Sequence, residues 1–535
     1  MFRKKSPEEE ELKKHTTFLK SKHVGESLAA VSTIVSMGSS SPETMGRYIV
    51  SLLPQMLKDG NVRVHTRAAF IASGLISTSP NTRRELVKQF IGLLRHNDPA
   101  MKLYAAAIIG RVAENYPEDL RPHIGEITQL FDDKNRINAW AAAAALGEIG
   151  YRAPQIAEDV APFLDKQLRE KKPLSRFLSV ITYSRISLRS PTIVKNSILP
   201  LLDVARGAQE PEGFDIGLDI SLIIARLMNA RPDLVEAHVM PHVNSFLEEK
   251  NPIARASIVY LIGELGMRQP HLVNKLLPKL TQLCNDKDAR VRGLMALALG
   301  RMSYRSKELA EVTVPELMKL LEDKEDRVQG AAAISLRYIA ANSPERIEPI
   351  IPKLSKMLED KNKIIRGFAG FSLLLVSKVA PDLIGAPGFS LIGDIIERAG
   401  KVIAEGYASA RRGAGFALHF TSRYPDSVID RGLLPEVLRL MEDKDPNVRG
   451  RAVMALKNMV PAFPDFVLEH LAMIMGLLEY KDGGVRMQAS YALAEIADYH
   501  REAVKEIALE RMVRLLEDSD QRVRAIAAFC LGRIT

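Results

Sequence analysis

The sequence has little cysteine, few aromatic residues and no long apolar run. Its two cysteines, Cys284 and Cys530, are too few for a disulfide framework or a cysteine-rich zinc site. Aromatic residues make up 6% of the chain and Trp140 is the single tryptophan, so small and aliphatic side chains must fill the interior. No apolar run is long enough to span a membrane, and the charged residues 1–15 do not form a signal peptide. We therefore expect a cytoplasmic protein.

The chain is long and carries a modest positive charge. Its 535 residues exceed what one hydrophobic core normally supports, so the chain must divide into domains or grow as a stack of repeats. Hydrophobic residues make up 46% of the chain, which argues against disorder. The formal net charge is +9, and the basic excess lies almost wholly in residues 1–300. An excess of this size does not by itself imply a nucleic-acid partner.

One spacing of apolar residues recurs along the chain. In residues 321–340, apolar side chains at relative positions 0, 4, 8 and 11, from Val328 to Ile339, return to one face of a helix. Three further segments share the pattern: 358–377, 441–460 and 516–535. With the first position as anchor, most steps of the register are 36 to 38 residues. The anchors are Val64, Met101, Asn138, Ile216, Ala254, Val291, Val328, Ile365, Ala410, Val448, Val485 and Val523, with a degraded copy near Leu174 and a weak one near Ser27.

A second amphipathic stretch lies upstream of each anchor, so the unit is a helical hairpin with a short acidic turn between its two helices. Neither helix can bury its apolar face alone, and neighbouring hairpins must therefore stack. We predict an all-α fold, an α-α superhelix (right-handed solenoid) of about fourteen hairpins. Each hairpin is expected to pack only on its neighbours in sequence.

Three features of the hairpins resemble the HEAT-repeat family. The first helix often holds a proline near its start, an acidic residue lies five positions before the anchor, and a basic residue follows the anchor directly. The prolines are Pro278, Pro315, Pro352 and Pro435. The pattern is broken at Gln329, in the basic position, and at Tyr480, in the acidic position. The repeat count and length are similar to those of the protein phosphatase 2A scaffold subunit, and residues 96–120 resemble the trunk of vesicle-coat adaptins. The resemblance implies an armadillo-type fold that binds other macromolecules.

Two irregularities in the repeat suggest how the chain is divided. We expect an N-terminal stack of about five repeats in residues 1–204, with a polar extension in 1–15. The polar segment 205–217 predicts an irregular loop or hinge. A C-terminal stack of about nine repeats then covers 218–535, with an irregular stretch at 380–415.

The acidic and basic positions around the anchors form a charged ladder with two interpretations. Its arginines could face a polyanion, or each acidic residue could cap the second helix and pair with the arginine of an adjacent repeat. We favour the second interpretation, because the pairing recurs at a fixed register. The ladder would then set the angle between hairpins. Its members include Asp286, Arg292, Asp323, Asp360, Arg366, Asp443, Arg449, Arg486, Asp518 and Arg524.

Residues 165–195, the basic segment, depart from this pattern. Arg169 takes the acidic position, so the cations of the segment are expected to lack their usual partners within the chain. Phe177 and Tyr183 would add aromatic surface nearby. We expect the segment to dock an acidic partner, which could be a protein, a phosphorylated segment, a lipid headgroup or nucleic acid; a solvated basic helix is the alternative. The candidate partner-binding residues are Lys171, Lys172, Arg176, Arg185 and Arg189.

The sequence contains no pattern that indicates catalysis, a cofactor or a metal site. His238 and His242 have a helical ligand spacing, but no acidic residue completes a zinc motif and Pro241 lies between them. No phosphate-binding glycine loop and no nucleophile motif is present. An enzyme, such as a repeat-type lyase, would need converging acids that the sequence does not indicate.

We therefore expect a non-catalytic scaffold or adaptor that binds protein partners along the concave surface of the solenoid, in a trafficking or signalling assembly. The alternative is a nucleic-acid-associated protein, similar to the HEAT subunits of chromosome-organising complexes, that binds phosphate backbone through residues 165–195. The helix that ends the sequence has no polar cap, so it either covers its own apolar face or mediates self-association.

Overall fold

The computed structural model describes residues 7–59, 61–209, 213–359 and 434–535, together with a few single positions from 366 to 380. All regular structure in these ranges is helical, and no strand occurs in them. The predicted all-α solenoid architecture is confirmed, and the described helices fit the expected series of about fourteen hairpins. The ladder residue Asp360 and, apart from Ala380, the irregular stretch 380–415 lie outside the described residues.

The chain forms two compact units. Unit 1 combines Met1–Ser190 with Leu471–Thr535, and unit 2 is Pro191–His470. The helices of unit 1 are α1 Pro7–Phe18, α2 Val24–Ser40, α3 Arg47–Met56, α4 Val62–Leu75, α5 Pro80–Leu93, α6 Pro99–Asn115, α7 Pro117–Leu120, α8 Ile124–Phe131, α9 Arg136–Arg152, α10 Pro154–Arg169, α11 Pro173–Ile186, α27 Leu471–Leu477, α28 Gly483–Ile496, α29 Arg501–Leu515 and α30 Gln521–Ile534.

Unit 2 contains the helices between these two segments. They are α12 Ile198–Arg206, α13 Gly213–Ala230, α14 Pro232–His238, α15 Met240–Leu247, α16 Pro252–Arg268, α17 Pro270–Val273, α18 Leu277–Gln282, α19 Ala289–Ser303, α20 Lys307–Leu320, α21 Asp326–Asn342, α22 Pro344–Ile347, α23 Ile351–Met357, α24 Leu434–Met441, α25 Pro446–Met459 and α26 Pro464–Glu469. The interruption between α12 and α13 is shorter than the predicted segment 205–217. The division into stacks 1–204 and 218–535, with a hinge between them, stays a prediction.

In several hairpins the turn is fixed by two polar side chains rather than one. In the hairpin of α19, the carboxylate of Asp286 accepts a hydrogen bond from the backbone N–H of Asp288 at 2.8 Å. Asp288 then caps α19, because its side chain accepts from the backbone N–H of Arg290 at 2.8 Å. Asn135 and Asp520 cap α9 and α30 in the same way. The ladder carboxylate therefore orders the turn, and the helix cap predicted for it lies two residues later.

Glycines let the second helices of neighbouring hairpins approach each other closely. A Cβ atom on Gly300 of α19 would lie 2.8 Å from the carbonyl oxygen of Ser335 in α21. A Cβ on Gly263 of α16 would lie 2.8 Å from the Cα of Ala298. These distances are below van der Waals contact, so the second helices pack backbone to backbone at these points.

In unit 1 the same kind of contact joins helices that are far apart in the sequence. Gly532 of α30 lies against α6, where a Cβ would approach the carbonyl oxygen of Tyr104 to 2.9 Å and the Cβ of Ala107 to 2.7 Å. The hydroxyls of Tyr104 and Thr535 are 3.2 Å apart. The expectation that hairpins pack only on their neighbours in sequence is therefore wrong for α30. This contact covers part of the helix to which the sequence analysis assigned self-association, and self-association stays a prediction.

No helix in the part of the chain that the structure describes combines the length and the apolar composition needed to cross a membrane.

Candidate partner-binding surface

The basic segment surrounds the connection between α10 and α11. Pro173 occupies the first turn of α11, where its missing N–H needs no partner. Lys171 and Lys172 precede it and are exposed. The Nζ atom of Lys172 lies 3.1 Å from a carboxylate oxygen of Asp132. Both side chains of this pair are well exposed, so solvent screens the attraction and the pair contributes little to stability.

Arg176 and Arg189 also have contacts within the chain. The Nε atom of Arg176 donates to the backbone carbonyl of Glu170 at 2.6 Å, and its side chain is half-buried. The guanidinium of Arg189 lies 4.4 Å from the ring centroid of Tyr151 and remains exposed. Neither contact neutralises the positive charge, so both residues still present a cation at the surface.

Arg185, in contrast, is engaged by three carboxylates. It donates to Glu148 at 2.8 Å, to Asp498 at 2.9 Å and to Glu495 at 3.4 Å. The expectation that Arg185 lacks a partner within the chain is therefore wrong. The partners in α28 and just after it are 310 and 313 residues further along the chain, a separation that no local sequence pattern reveals.

Arg185 belongs to a group that we call the acid–arginine cluster, formed by Glu148, Arg152, Arg185, Glu495, Asp498 and Arg533. Arg152 donates to Asp498 at 2.5 Å, and Arg533 donates to Glu148 at 2.6 Å and to Glu495 at 3.2 Å. Each of the three arginines contacts at least two of the three carboxylates, and Arg152 also donates to Glu114 at 3.0 Å. The cluster joins α9 and α11 to α28 and α30.

The arginines keep the buried acids of the cluster ionised. Burial raises the pKa of Glu148, but Arg185, Arg533 and Arg152 together outweigh that effect and lower it to about 2. Burial and the same arginines act in opposite directions on Asp498 as well, and the net effect holds its pKa below the ordinary value. Glu148 and Asp498 are therefore ionised at neutral pH.

The repeat pattern contains a signal for this cluster that the charged ladder does not include. The tenth position after the anchor faces the neighbouring hairpin and is occupied by glutamate or arginine in several repeats. These residues are Arg111, Glu148, Glu264, Arg301, Glu495 and Arg533. In unit 2, Glu264 and Arg301 form a buried ion pair between α16 and α19. A glutamate at this tenth position in one hairpin, followed by an arginine at the same position in the next, predicts such an ion pair.

Trp140, which is exposed, pairs with Phe177, a half-buried residue of the basic segment. Trp140 on α9 is 40% exposed, and its ring packs edge-on against Phe177 of α11 at a centroid distance of 5.0 Å. Ile137, one turn before Trp140, is 46% exposed, and Arg136 begins the same face of α9. Tyr183, expected to add aromatic surface, is instead fully buried and donates its hydroxyl to Asp165.

We call this area the aromatic–basic surface. It consists of Arg136, Ile137, Trp140, Lys171, Lys172, Arg176 and Phe177. Its side chains lie on or directly before helices that pack against each other, so their positions are fixed by the hairpin core rather than by a loop.

The charged ladder connects consecutive hairpins inside each unit. In unit 2, Arg292 donates to both carboxylate oxygens of Asp323, at 2.6 and 2.8 Å, and to the carbonyl of Asp286 in its own hairpin at 2.8 Å. Arg255 binds Asp286 in the same bidentate manner, as Arg486 binds Asp518 in unit 1.

The other ladder residues keep part of this arrangement. Arg524 donates to the carbonyl of Asp518 at 2.7 Å, and Asp443 accepts from the backbone N–H of Asp445 at 2.8 Å. Arg449 is buried, and Arg366 lies in a helical position. At Gln329 the side-chain amide donates to the carbonyl of Asp323, where an arginine would otherwise do so.

The described residues contain no group of histidine, cysteine, aspartate or glutamate arranged to hold a metal ion. His238 ends α14 while His242 lies in α15, so the two do not share one continuous helix. Cys284 and Cys530 are buried free thiols, and burial raises the pKa of each to about 12. Both stay protonated at neutral pH and are poor nucleophiles.

Comparison with known proteins gives two family matches. The model of HEAT repeats matches residues 240–337 and 434–532. The model of the non-SMC mitotic condensation complex subunit 1 matches residues 290–405. No curated protein matches the sequence.

Solved structures with similar folds include two proteins named Kap121p and Kap95p. The similarity to Kap121p covers 98% of this chain and 56% of that chain, with 14% identity and a TM-score of 0.46. Kap95p, in a structure describing its binding to RanGDP, matches over 98% of this chain and 72% of its own, with 13% identity and a TM-score of 0.49. This chain thus spans little more than half the length of Kap121p. The HEAT resemblance is confirmed by the family match in residues 240–337 and 434–532.

Proposed function

We propose that the protein is a non-catalytic scaffold that binds a protein partner with an acidic segment at the aromatic–basic surface. The observation that carries this proposal is the exposed Trp140, packed on the half-buried Phe177 and flanked by cations. Tryptophan and arginine are enriched among the residues that dominate protein–protein binding energies. Ile137 and Trp140 are 46% and 40% exposed, and cations flank them on α9 and α11.

The apolar and the charged parts of the surface would have different roles in binding. Burial of Trp140 and Ile137 under a partner would remove apolar area from water and provide affinity. Lys171, Lys172 and Arg176 would favour an acidic partner and speed its association. Arg185 is not part of this binding surface, because its guanidinium is engaged inside unit 1.

A rigid support for such a surface is the second basis of the proposal. Glu148 of α9 binds Arg185 of α11, and Gly150 of α9 packs closely on Ile186 of α11, so the side chains on these helices are held in place before a partner arrives. A scaffold needs this preorganisation and needs no catalytic group. A role in a trafficking or signalling assembly, and a cytoplasmic location, are part of the same proposal.

Binding of a defined probe tests the proposal. The acidic probe is a fluorescein-labelled extended peptide of glutamates with a leucine at every third position. Trp140→Ala should weaken its binding about thirtyfold, as expected for a residue that dominates an interface. Lys171→Glu with Lys172→Glu should weaken it further at low salt. Ile507→Ala and Lys88→Glu are matched controls, since both residues are exposed elsewhere in unit 1. Equal binding by the Trp140 variant and the controls would refute the proposal.

Nucleic-acid binding is the second candidate function. The match of residues 290–405 to the condensation-complex subunit supports its inclusion, although the basic segment lies outside that match. The engagement of Arg185 by buried carboxylates opposes it, because one cation fewer remains for a phosphate backbone. The affinity for a duplex would fall linearly with salt on logarithmic axes, with a slope set by the number of phosphates contacted. A protein that binds the acidic probe but does not bind a nucleic-acid duplex would exclude nucleic-acid binding as the function.

A further inference from the structure

The acid–arginine cluster places acidic side chains of the C-terminal segment on cations of the N-terminal one. Glu495 and Asp498 come from the segment 471–535, whereas Arg152 and Arg185 belong to α9 and α11. Asp498 contacts both of these arginines, at 2.5 and 2.9 Å. Arg185 of the basic segment and Arg152 of α9 are thus already occupied by carboxylates of the same chain.

This cluster and the aromatic–basic surface lie on the same side of α9. Ile137 and Glu148 are eleven residues apart, which is three helical turns, so their side chains lie in one row about 16 Å apart. An extended peptide covers that distance with about five residues. A single acidic segment could therefore contact Trp140 at one end and reach Arg185 at the other, but only if Glu495 and Asp498 leave.

We propose that the segment 471–535 is an internal competitor of the acidic partner, with Glu495 and Asp498 occupying arginines that the partner would otherwise bind. The inference rests on the proposed function, since it concerns the same acidic ligand. While Glu495 and Asp498 remain on the arginines, the partner reaches only the aromatic–basic surface. Displacement of the two carboxylates extends the binding site along α9 and α11 to Arg152 and Arg185.

The competitor and the partner offer the arginines the same chemistry. A partner carboxylate would replace Glu495 or Asp498, so the exchange does not leave a guanidinium buried without a counter-charge. Arg185 and Glu495 lie at the edge of the cluster and retain about 15% and 14% of their side-chain exposure, where a competing acid can begin the exchange.

The test compares two pairs of substitutions that remove the same charge from the segment. Glu495→Gln with Asp498→Asn removes the competing carboxylates and keeps the side-chain shape. Glu506→Gln with Glu510→Gln removes two exposed carboxylates of α29 and serves as the control. We expect the first variant to bind the acidic probe at least tenfold more tightly than the unaltered protein, and the control to bind as the unaltered protein does. Coupling between two sites typically changes affinity by about 5-fold to 150-fold.

Hydrogen exchange provides a readout that does not depend on affinity. Probe binding to the unaltered protein should accelerate exchange of backbone amides in α30 and α6, because displacement of the segment exposes both. If the double variant does not fold, Glu495→Gln alone replaces it, since Glu495 lies at the edge of the cluster. If all variants bind the acidic probe with equal affinity, and probe binding leaves the hydrogen exchange of α30 and α6 unchanged, the competitor proposal is overturned while the proposed function stands. No binding of the probe by any variant would refute the proposed function, and the competitor with it.

Discussion

Arg533 donates a hydrogen bond to the carboxylate of Glu148 across 2.6 Å, although the two residues are 385 positions apart in the sequence. Both side chains are almost completely buried. The contact attaches α30 to α9 inside unit 1, where Gly532 also brings the backbone of α30 against α6. The charge balance within the acid–arginine cluster therefore determines how firmly the segment 471–535 is held on the N-terminal hairpins.

Replacing Glu148 with glutamine should destabilise unit 1 strongly. The substitution leaves Arg152, Arg185 and Arg533 with one carboxylate fewer, and removal of one partner from a buried ion pair costs about 3–5 kcal/mol. Urea unfolding followed by the emission of Trp140, which lies on the same helix, measures the loss. Lys172→Met is the control, because it breaks an exposed pair worth less than about 1 kcal/mol. Similar losses for the two variants would contradict the role assigned to the cluster.

The stabilisation from Glu148 should disappear in acid. Its pKa is lowered from 4.5 to about 2 in the folded protein, so the folded state favours the ionised form. The contribution is therefore complete above the unfolded pKa near 4.5 and is lost as the pH falls from there toward 2. The lowered pKa of Asp498 acts in the same direction.

The measurement for this prediction is the difference in free energy of unfolding between the unaltered protein and Glu148→Gln. It should be constant above about pH 5 and decrease steadily below pH 4.5. A difference that grows on acidification would contradict the assigned protonation state.

The sequence predicted the hairpin architecture well because the repeated apolar spacing is a local property. The anchors Val291 and Val328 are buried, and the arginine after the first of them pairs with the next hairpin. The same reasoning failed for Arg185, because its carboxylate partners follow more than three hundred residues later. Local patterns also failed to indicate Trp140, since its exposure depends on which neighbours cover α9.

The bidentate contact between Arg292 and Asp323 should couple α19 to the following hairpin. A double-mutant cycle with Arg292→Ala and Asp323→Ala should give a coupling energy of about 1–3 kcal/mol, since both groups are charged and largely buried. Urea unfolding of the four proteins of the cycle measures this coupling energy in unit 2. Arg290 and Asp288 form the control cycle, because their contact lies within one hairpin. A coupling no larger than that of the control would show that the ladder does not join hairpins.

Gly300→Ala should destabilise unit 2 by about 1–3 kcal/mol, because the added Cβ would lie 2.8 Å from the carbonyl oxygen of Ser335 and force α19 and α21 apart. Gly450→Ala is the matched control, since nothing lies within 4 Å of a Cβ at that helical position. The control should be stabilised by up to about 1 kcal/mol through helix propensity. Thermal unfolding separates the two, and stabilisation of both variants would refute the close helix contact.

The emission of Trp140 during titration with an unlabelled form of the acidic probe tests the central claim most directly. Trp140 is the single tryptophan in the chain and is 40% exposed, so its emission reports on the aromatic–basic surface alone. Burial beneath the probe should shift the emission to shorter wavelength in a saturable manner, and the shift should weaken when salt is added. Emission that stays unchanged at saturating probe would contradict binding at this surface.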